Sequence, residues 1–407
     1  MRRKMKLCMV SRVFPPKIGG SGSFLNILSQ KLVEDGFEVS VLTQSFKDAP
    51  KQEIINGVKI ERCFALSGNE FSNINMAAAM LSLSKKIVSK RDHDLFHAHD
   101  LSIAGFAGAF SKKFVGKKPF LLKYGGDLVF EYLCLKKFKG FNPKNGLDET
   151  FKFRNGIDGL FHGIENWYFR TYDLILPDAF YGKKFLETRG LSGEKIHVLP
   201  NGVNTNLFKP CSDKEKIKIK LGLNGKIILC AARLVEWKGI DILITAMEKV
   251  LKEEKNARLV IGGDGQMETT LKDLVRKKKL EENIDFVGNI SRENMLSYFT
   301  AADVFVLPSF FDTTPNVLLE AMACGKACVV SDISGIEEVV ENDSAAKFAI
   351  GDSDALAETI LSLLRDDKKR RKFEKRALLR IREEYSQEKA IERYIKIYNE
   401  IIQKRVC

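Results

Sequence analysis

No run of apolar residues in this 407-residue chain approaches the ~18 needed to cross a bilayer. A membrane-spanning helix is therefore not expected. The N-terminus, Met1-Arg2-Arg3-Lys4-Met5-Lys6-Leu7-Cys8-Met9-Val10, begins basic and turns apolar, as a secretory leader does. Arg12 breaks that run, and Pro15-Pro16 follow with no small-residue cleavage site. The eight cysteines are scattered and contain no CxxC pair. Cys324 and Cys328 stand four apart, but no neighbouring histidines complete a zinc site. Reduced thiols in a cytoplasmic protein are the expectation. There is no 20-to-50-residue repeat and no low-complexity tract. What remains is ordinary: 44% apolar and 29% charged residues exclude fibrous and wholly disordered chains. At roughly 150 residues per domain, the length suggests two or three domains.

The net charge is +13, and it is unevenly spread. Residues 1–200 carry 31 Lys and Arg against 20 Asp and Glu, whereas residues 201–407 carry 35 against 33. Two halves so different in charge suggest different partners.

Strand-like and helical patterns alternate, twice. In the first half, strand-like runs fall at Lys6–Phe14, Glu38–Thr43, Val58–Cys63, Leu95–His99, Phe120–Tyr124, Leu174–Pro177 and His197–Pro200. In the second they fall at Ile227–Ala232, Leu259–Gly262, Asp285–Val287, Val304–Leu307 and Ala327–Ser331, with helical runs at Ile240–Lys252, Glu268–Lys279, Arg292–Thr300 and Val317–Cys324. Such alternation predicts parallel sheets with helices on both faces, here as two doubly wound domains. The expected division is residues 1–205, residues 206–385 and a tail helix, 386–407, whose Ile391, Tyr394, Ile395, Tyr398, Ile401 and Ile402 form one apolar stripe. Residues 130–160 fit no regular pattern and read as an insertion or a mobile loop.

In open parallel sheets, ligands bind beyond the carboxyl ends of the strands. The segment Pro308-Ser309-Phe310-Phe311-Asp312-Thr313-Thr314-Pro315-Asn316-Val317-Leu318-Leu319-Glu320 leaves a buried strand and enters a helix. Thr314 reads as its N-cap and Pro315 as its first residue. The free amides of Asn316 and Val317 would then face an anion such as a phosphate. Glu320, about one turn further in, is placed to accept from a ribose, and Asp312 to project towards the ligand. A capped core helix with two surface acids is the competing reading. Arg233 ends an earlier strand and Lys238 opens the next helix, so both cations can converge on one diphosphate, unless they are merely solvated. Gly262-Gly263-Asp264-Gly265 permits close backbone approach, but it lacks the full dinucleotide fingerprint. The glycine loop that begins Pro15-Pro16-Lys17-Ile18-Gly19-Gly20 reads as a loop for a diphosphate or for an acceptor, or as a bare linker. His97 and His99, two apart on a strand, face one way. With no third ligand evident, they read as satisfied, partly buried histidines. Asp127, after Gly125-Gly126, reads as a carboxylate for an acceptor hydroxyl.

Taken together, these residues resemble the retaining glycosyltransferase family 4, of GT-B fold. The resemblance runs from the Pro-Pro-x-x-Gly-Gly loop and Pro200-Asn201-Gly202-Val203, through Arg233/Lys238, Gly263-Asp264-Gly265 and Phe286-Val287-Gly288, to the Glu-Ala-Met-Ala-x-Gly block and Tyr385-Ser386-Gln387-Glu388. It implies two Rossmann-like domains facing across a cleft, with the nucleotide-diphospho-sugar donor on the C-terminal one and the tail helix, 386–407, crossing back to the N-terminal one. It implies that Arg233 and Lys238 stabilise the leaving diphosphate without metal or cofactor, and that Asn316, Val317 and Thr314 hold the distal phosphate. Glu320 would hold the ribose, and the backbone near Val287 would border the base. Gly20 and Gly263 would approach the donor. The family's acidic pair is Glu-x7-Glu; here Asp312 stands first. A His-containing turn of many members is replaced by Lys123-Tyr124-Gly125-Gly126-Asp127, which makes Asp127 the acceptor-side candidate.

The expected reaction is transfer of a hexose-type sugar, with retention, to a glycan or to a polyprenyl- or other lipid-linked acceptor on the N-terminal domain. Basic clusters with interleaved aromatics, Lys112-Lys113, Lys117-Lys118 and Lys136-Lys137-Phe138-Lys139, suit peripheral contact with the anionic inner face of a membrane. A nucleotide-sugar epimerase on the same fold is the alternative. A nucleic-acid-binding protein, suggested by a pI near 9.2, is not expected because no helix-turn-helix or zinc module is apparent.

Overall fold

The computed structural model describes residues 4–403, apart from 17–19, 48, 66–72, 127–129, 131–132, 135–141, 154–155 and 342. The chain forms two compact units. One takes Met1–Phe141, Thr150–Pro200 and Ile391–Cys407; the other takes Asn142–Glu149 and Asn201–Ala390.

The first unit is built on seven strands: β1 (Lys6–Val10), β2 (Glu38–Gln44), β3 (Gln52–Ile55), β4 (Val58–Phe64), β5 (Leu95–Ala98), β6 (Phe120–Tyr124) and β7 (Leu174–Pro177). Their order is β3-β4-β2-β1-β5-β6-β7. Strands β1, β2, β5, β6 and β7 are almost wholly buried. That burial explains why their sequences run apolar without alternation, as parallel strands covered on both faces must. Helices Gly20–Glu34, Asn73–Ser89, Ile103–Val115 and Gly156–Thr171 lie between them along the chain, and Phe180–Thr188 follows the last.

Three expectations are corrected in this unit. The sheet is not parallel throughout, because β3 runs antiparallel to β4 at the edge. Asn56 and Gly57, with φ of 48° and 81°, make the two-residue turn that such a hairpin needs. The segment His197–Pro200 is not a strand. His197 and Leu199 donate to the carbonyls of Ile175 and Pro177 at 3.0 and 2.7 Å, but Pro177 has no N–H to return and the ladder stops. Residues 130–160 are not wholly irregular: Pro143–Asn145 and Leu147–Phe153 are short 3₁₀ turns, and Gly156 opens a helix.

The second unit carries β8 (Lys226–Ala231), β9 (Ala257–Gly262), β10 (Ile284–Gly288), β11 (Val304–Leu307), β12 (Ala327–Ser331) and β13 (Ala346–Phe348). They are parallel, in the order β10-β9-β8-β11-β12-β13. Successive residues of β8 serve opposite cores: Ile227, Leu229 and Ala231 pack in one cluster, Ile228 and Cys230 in the other. The alternation of a strand thus becomes two apolar layers under two sets of helices.

The helix Gln387–Gln403 starts beside the Asn201–Val203 turn. Val203 donates to the Tyr385 carbonyl and accepts from the Gln387 amide, both at 2.9 Å. A side chain on Gly202 would meet Ala390 at 2.7 Å, so glycine is required there. Further along, Tyr394 and Tyr398 of this helix are wholly buried in the core of the first unit.

Candidate active site

The loops that leave β8, β9, β10 and β11 at their carboxyl ends are bonded to one another, and the segment after β12 packs closely on the loop after β11. Leu234, after β8, donates to the Asp264 carbonyl at 2.7 Å, and the Gly263 amide donates to Gly288 at 2.7 Å. Phe310, after β11, donates to the Trp237 carbonyl at 2.8 Å. Three glycines allow this approach. An added Cβ would lie 1.9 Å from the Ala232 oxygen at Gly263, 2.1 Å from the Pro308 oxygen at Gly239, and 1.8 Å from the Asp312 oxygen at Gly335. At Gly263 and Gly239, φ is also positive, at 124° and 63°, a region costly to other residues.

Within this assembly the Lys238 ammonium sits 2.7 and 2.6 Å from the two Asp312 oxygens. Both side chains are largely buried, so the pair is a fixed feature rather than a solvated contact. Arg233 is exposed, and its guanidinium lies 5.5 Å from the centre of the Trp237 ring, within cation–π range.

The helix that follows spans Asn316–Ala323. Its start corrects the expected capping. Pro315, with ψ of 115°, is the capping residue and has no side chain to contribute, while Thr314 is buried one position earlier. The Pro315 carbonyl accepts from Leu318 and Leu319 at 3.0 and 3.3 Å. The amides of Asn316 and Val317 precede that ladder, as the first donors of any helix do. Asn316 is exposed and Val317 half-buried.

Glu320 lies one turn in, mostly buried, with an oxygen 4.0 Å from Arg292 Nη2. Burial pushes its carboxyl up to about 7, against the pull of the Arg292 charge. Arg292 belongs to the helix Arg292–Ala301 and also lies over the Phe208 ring, 5.8 Å from its centre. Val287 is half-buried at the end of β10 and packs on the core. Gly20 opens the first helix of the other unit. Asp127 lies outside the described residues.

The reading by sequence therefore placed Lys238 and Asp312 after strand ends and Asn316, Val317 and Glu320 in the helix that follows, but did not foresee the Lys238–Asp312 ion pair. It also missed Arg292, Gly335 and Ser309, whose buried hydroxyl has no hydrogen-bond partner. Gly335 and Ser309 follow strands, which was the available signal. Arg292 carries none, since its approach to Glu320 depends on the packing of two helices.

His97 and His99 face the same way, with ring centres 3.9 Å apart. The expectation that they are satisfied histidines is corrected. Tyr398 bonds His97 Nδ1 at 2.6 Å, while Nε2 of each ring lacks a partner.

Two family models divide the chain: Glycosyltransferase Family 4 matches residues 18–207, and Glycosyl transferases group 1 matches residues 212–380. The chain is 34% identical to mannosylfructose-phosphate synthase of Agrobacterium fabrum over 357 residues, covering 81% of this chain and 75% of that protein. Among solved structures, sucrose-phosphate synthase of Thermosynechococcus elongatus superposes with a TM-score of 0.78 at 20% identity, over 98% of this chain and all of the other. HepE of Anabaena, in complex with UDP-glucose, gives 0.73 at 20% identity, over 97% of this chain and all of the other. The two-unit α/β architecture is thus the GT-B fold, and with models matching both halves and a relative this similar over most of its length, the chain belongs to glycosyltransferase family 4 and is a sugar-transferring enzyme.

Proposed function

We propose that the protein transfers a hexose-type sugar, with retention, from a nucleotide-diphospho-sugar to a glycan or lipid-linked acceptor. The observation that carries this reading is the largely buried Lys238–Asp312 pair, held on the loops after β8 and β11, which are bonded to each other. The donor's diphosphate takes Lys238 and Arg233, together with the Asn316 and Val317 amides, as its counter-charges. Asp312 holds the ammonium in place until that anion arrives, and then faces the sugar hydroxyls. Glu320 meets the ribose, Gly263 lets the backbone approach the donor, Thr314 supports the phosphate turn, and Val287 borders the base. Asp127 is the acceptor-side carboxylate. No metal or cofactor takes part. The test is donor binding by calorimetry. The double variant Arg233→Ala, Lys238→Ala should lose at least ~100-fold in affinity for a UDP- or GDP-sugar, since each charge-assisted contact contributes about 1.5–3 kcal/mol. Unchanged affinity would refute the diphosphate assignment. An altered sugar still attached to its nucleotide, formed without acceptor, would instead identify an epimerase.

We propose further that the acceptor is reached at an anionic lipid surface. None of the described helices is long and apolar enough to cross a membrane, so such contact would be peripheral. The supporting observation is a face of the first unit where Phe110, Phe114 and Trp167 are exposed beside lysines. The rings of Phe110 and Phe114 lie 5.5 Å apart, tilted against each other, Lys113 lies 5.9 Å from the centre of the Trp167 ring, and Lys112, Lys117 and Lys118 adjoin. The Lys136–Lys139 cluster lies outside the described residues. Vesicles of phosphatidylglycerol should co-sediment the protein and vesicles of phosphatidylcholine should not, and Phe114→Ser with Lys117→Ser should weaken that binding severalfold. Equal sedimentation with both lipids would count against this surface.

A further inference from the structure

Five side chains of the first unit gather between its sheet and the C-terminal helix. His97 on β5 pairs in register with Leu121 of β6, so His99 and Lys123, each two residues further on, continue the same face. Tyr398 bonds His97 Nδ1 at 2.6 Å, and Lys123 Nζ lies 5.7 Å from the centre of the Tyr394 ring. None of the five is more than 8% exposed. Four of their polar atoms, His97 Nε2, His99 Nε2, Lys123 Nζ and the Tyr394 hydroxyl, have no hydrogen-bond partner.

Leaving one such atom unpaired costs roughly 1–3 kcal/mol, and a buried charge costs more. Four together, one of them an ammonium, describe a site rather than a packing fault. The identity of the atoms defines the ligand. Lys123 and Tyr394 donate. If the Tyr398 hydroxyl gives its proton to His97 Nδ1, then His97 donates through Nε2, and His99 carries an N–H as well. Burial, with the Lys123 charge beside them, pushes both imidazoles down, His99 to about 3, so one positive charge remains and it sits on Lys123. A metal ion would be repelled by that charge. We infer that His97, His99, Lys123 and Tyr394 form a binding site for a small oxyanion, a phosphate or a carboxylate, closed by the C-terminal helix. Because all four atoms are sealed from solvent, the ion enters when the segment bearing Tyr394 lifts, and once bound it ties that segment to the sheet. The inference stands apart from the proposed transfer reaction and uses none of its residues.

Hydrogen exchange of the intact protein tests it. Inorganic phosphate, compared with chloride at matched ionic strength, should slow the amides of Ile391–Tyr398. At ten times its Kd the slowing should be about elevenfold, the factor 1 + [L]/Kd. Lys123→Met should abolish the effect and Tyr394→Phe should weaken it, whereas Arg233→Ala with Lys238→Ala should retain it in full. Glycerol phosphate distinguishes the source: tighter binding than inorganic phosphate identifies the anion as part of a larger ligand, and equal or weaker binding identifies a free ion. Either result supports the site. An unchanged exchange rate in the wild-type protein overturns it, as does slowing that persists undiminished in Tyr394→Phe, a variant that keeps the ring and removes only the hydroxyl, should Lys123→Met fail to fold.

Discussion

Glu320 holds its proton to higher pH than an ordinary carboxyl because it is mostly buried, and Arg292, 4.0 Å away, offsets only part of that cost. Its folded pKa of about 7 exceeds the usual 4.5. Between these values the folded chain binds a proton that the unfolded chain has released, so stability falls as pH rises through this window and the full penalty is felt above 7. Glu320→Gln removes the ionisation. The variant should gain about 3 kcal/mol relative to the wild type at alkaline pH and almost nothing below 4.5. Urea unfolding at several pH values measures this, and a gain independent of pH would contradict it. At this scale the sequence showed which residue types stand after which strands, and so nominated Lys238, Asp312 and Glu320. It could not show which pairs would be buried together. The Lys238–Asp312 pair, 74 residues apart, and the approach of Arg292 to Glu320 are products of packing.

The same contrast holds for the elements. Strands with continuous apolar runs, β6, β7, β11 and β12, lie where their composition puts them, because double-sided burial admits little else. The two short edge strands were missed. β13 has three residues, too few for a periodic pattern. β3 alternates between exposed and half-buried positions and so lacks an apolar run, although the Asn56-Gly57 turn beside it was a legible hairpin signal. The helix at Asn316 begins one residue later than the Thr-Pro pair suggested, since Pro315 fixes only φ and its ψ of 115° is extended. Glycines carry the strand-end loops, and Gly263 is the most constrained. Gly263→Ala combines a φ of 124° with a Cβ 1.9 Å from a backbone oxygen. It should cost about 2–5 kcal/mol, the sum of left-handed strain and overpacking. It should also weaken donor-sugar affinity, because the Gly263–Gly288 bond cannot survive the shift. Thermal unfolding and donor titration check both, and an alanine variant as stable as wild type would contradict the close approach.

The order of strands and helices over the whole molecule was readable because alternation repeated twice, and each repeat became a sheet with its own core. The destination of the last helix was expected from the family resemblance and not from its pattern, since an apolar stripe states that a face is buried and not where. Its described residues from Ile391 onwards belong to the first unit, 190 residues after the chain left it at Pro200, so that unit is complete only when the end of the chain returns. Tyr398→Ala tests this closure. It empties a wholly buried aromatic site, at about 3–5 kcal/mol by analogy with other large-to-small changes. It also strips His97 Nδ1 of its partner, adding roughly 1–3 kcal/mol. The loss should fall on the first unit: exchange protection of β1, β5 and β6 should collapse while β8, β9 and β11 keep theirs. Tyr398→Phe, which retains the ring, should show only the smaller, hydrogen-bond part of the loss. Parallel loss of protection in both sheets would mean that the two units unfold as a single cooperative body, and that the returning helix stabilises the whole chain rather than the unit it enters.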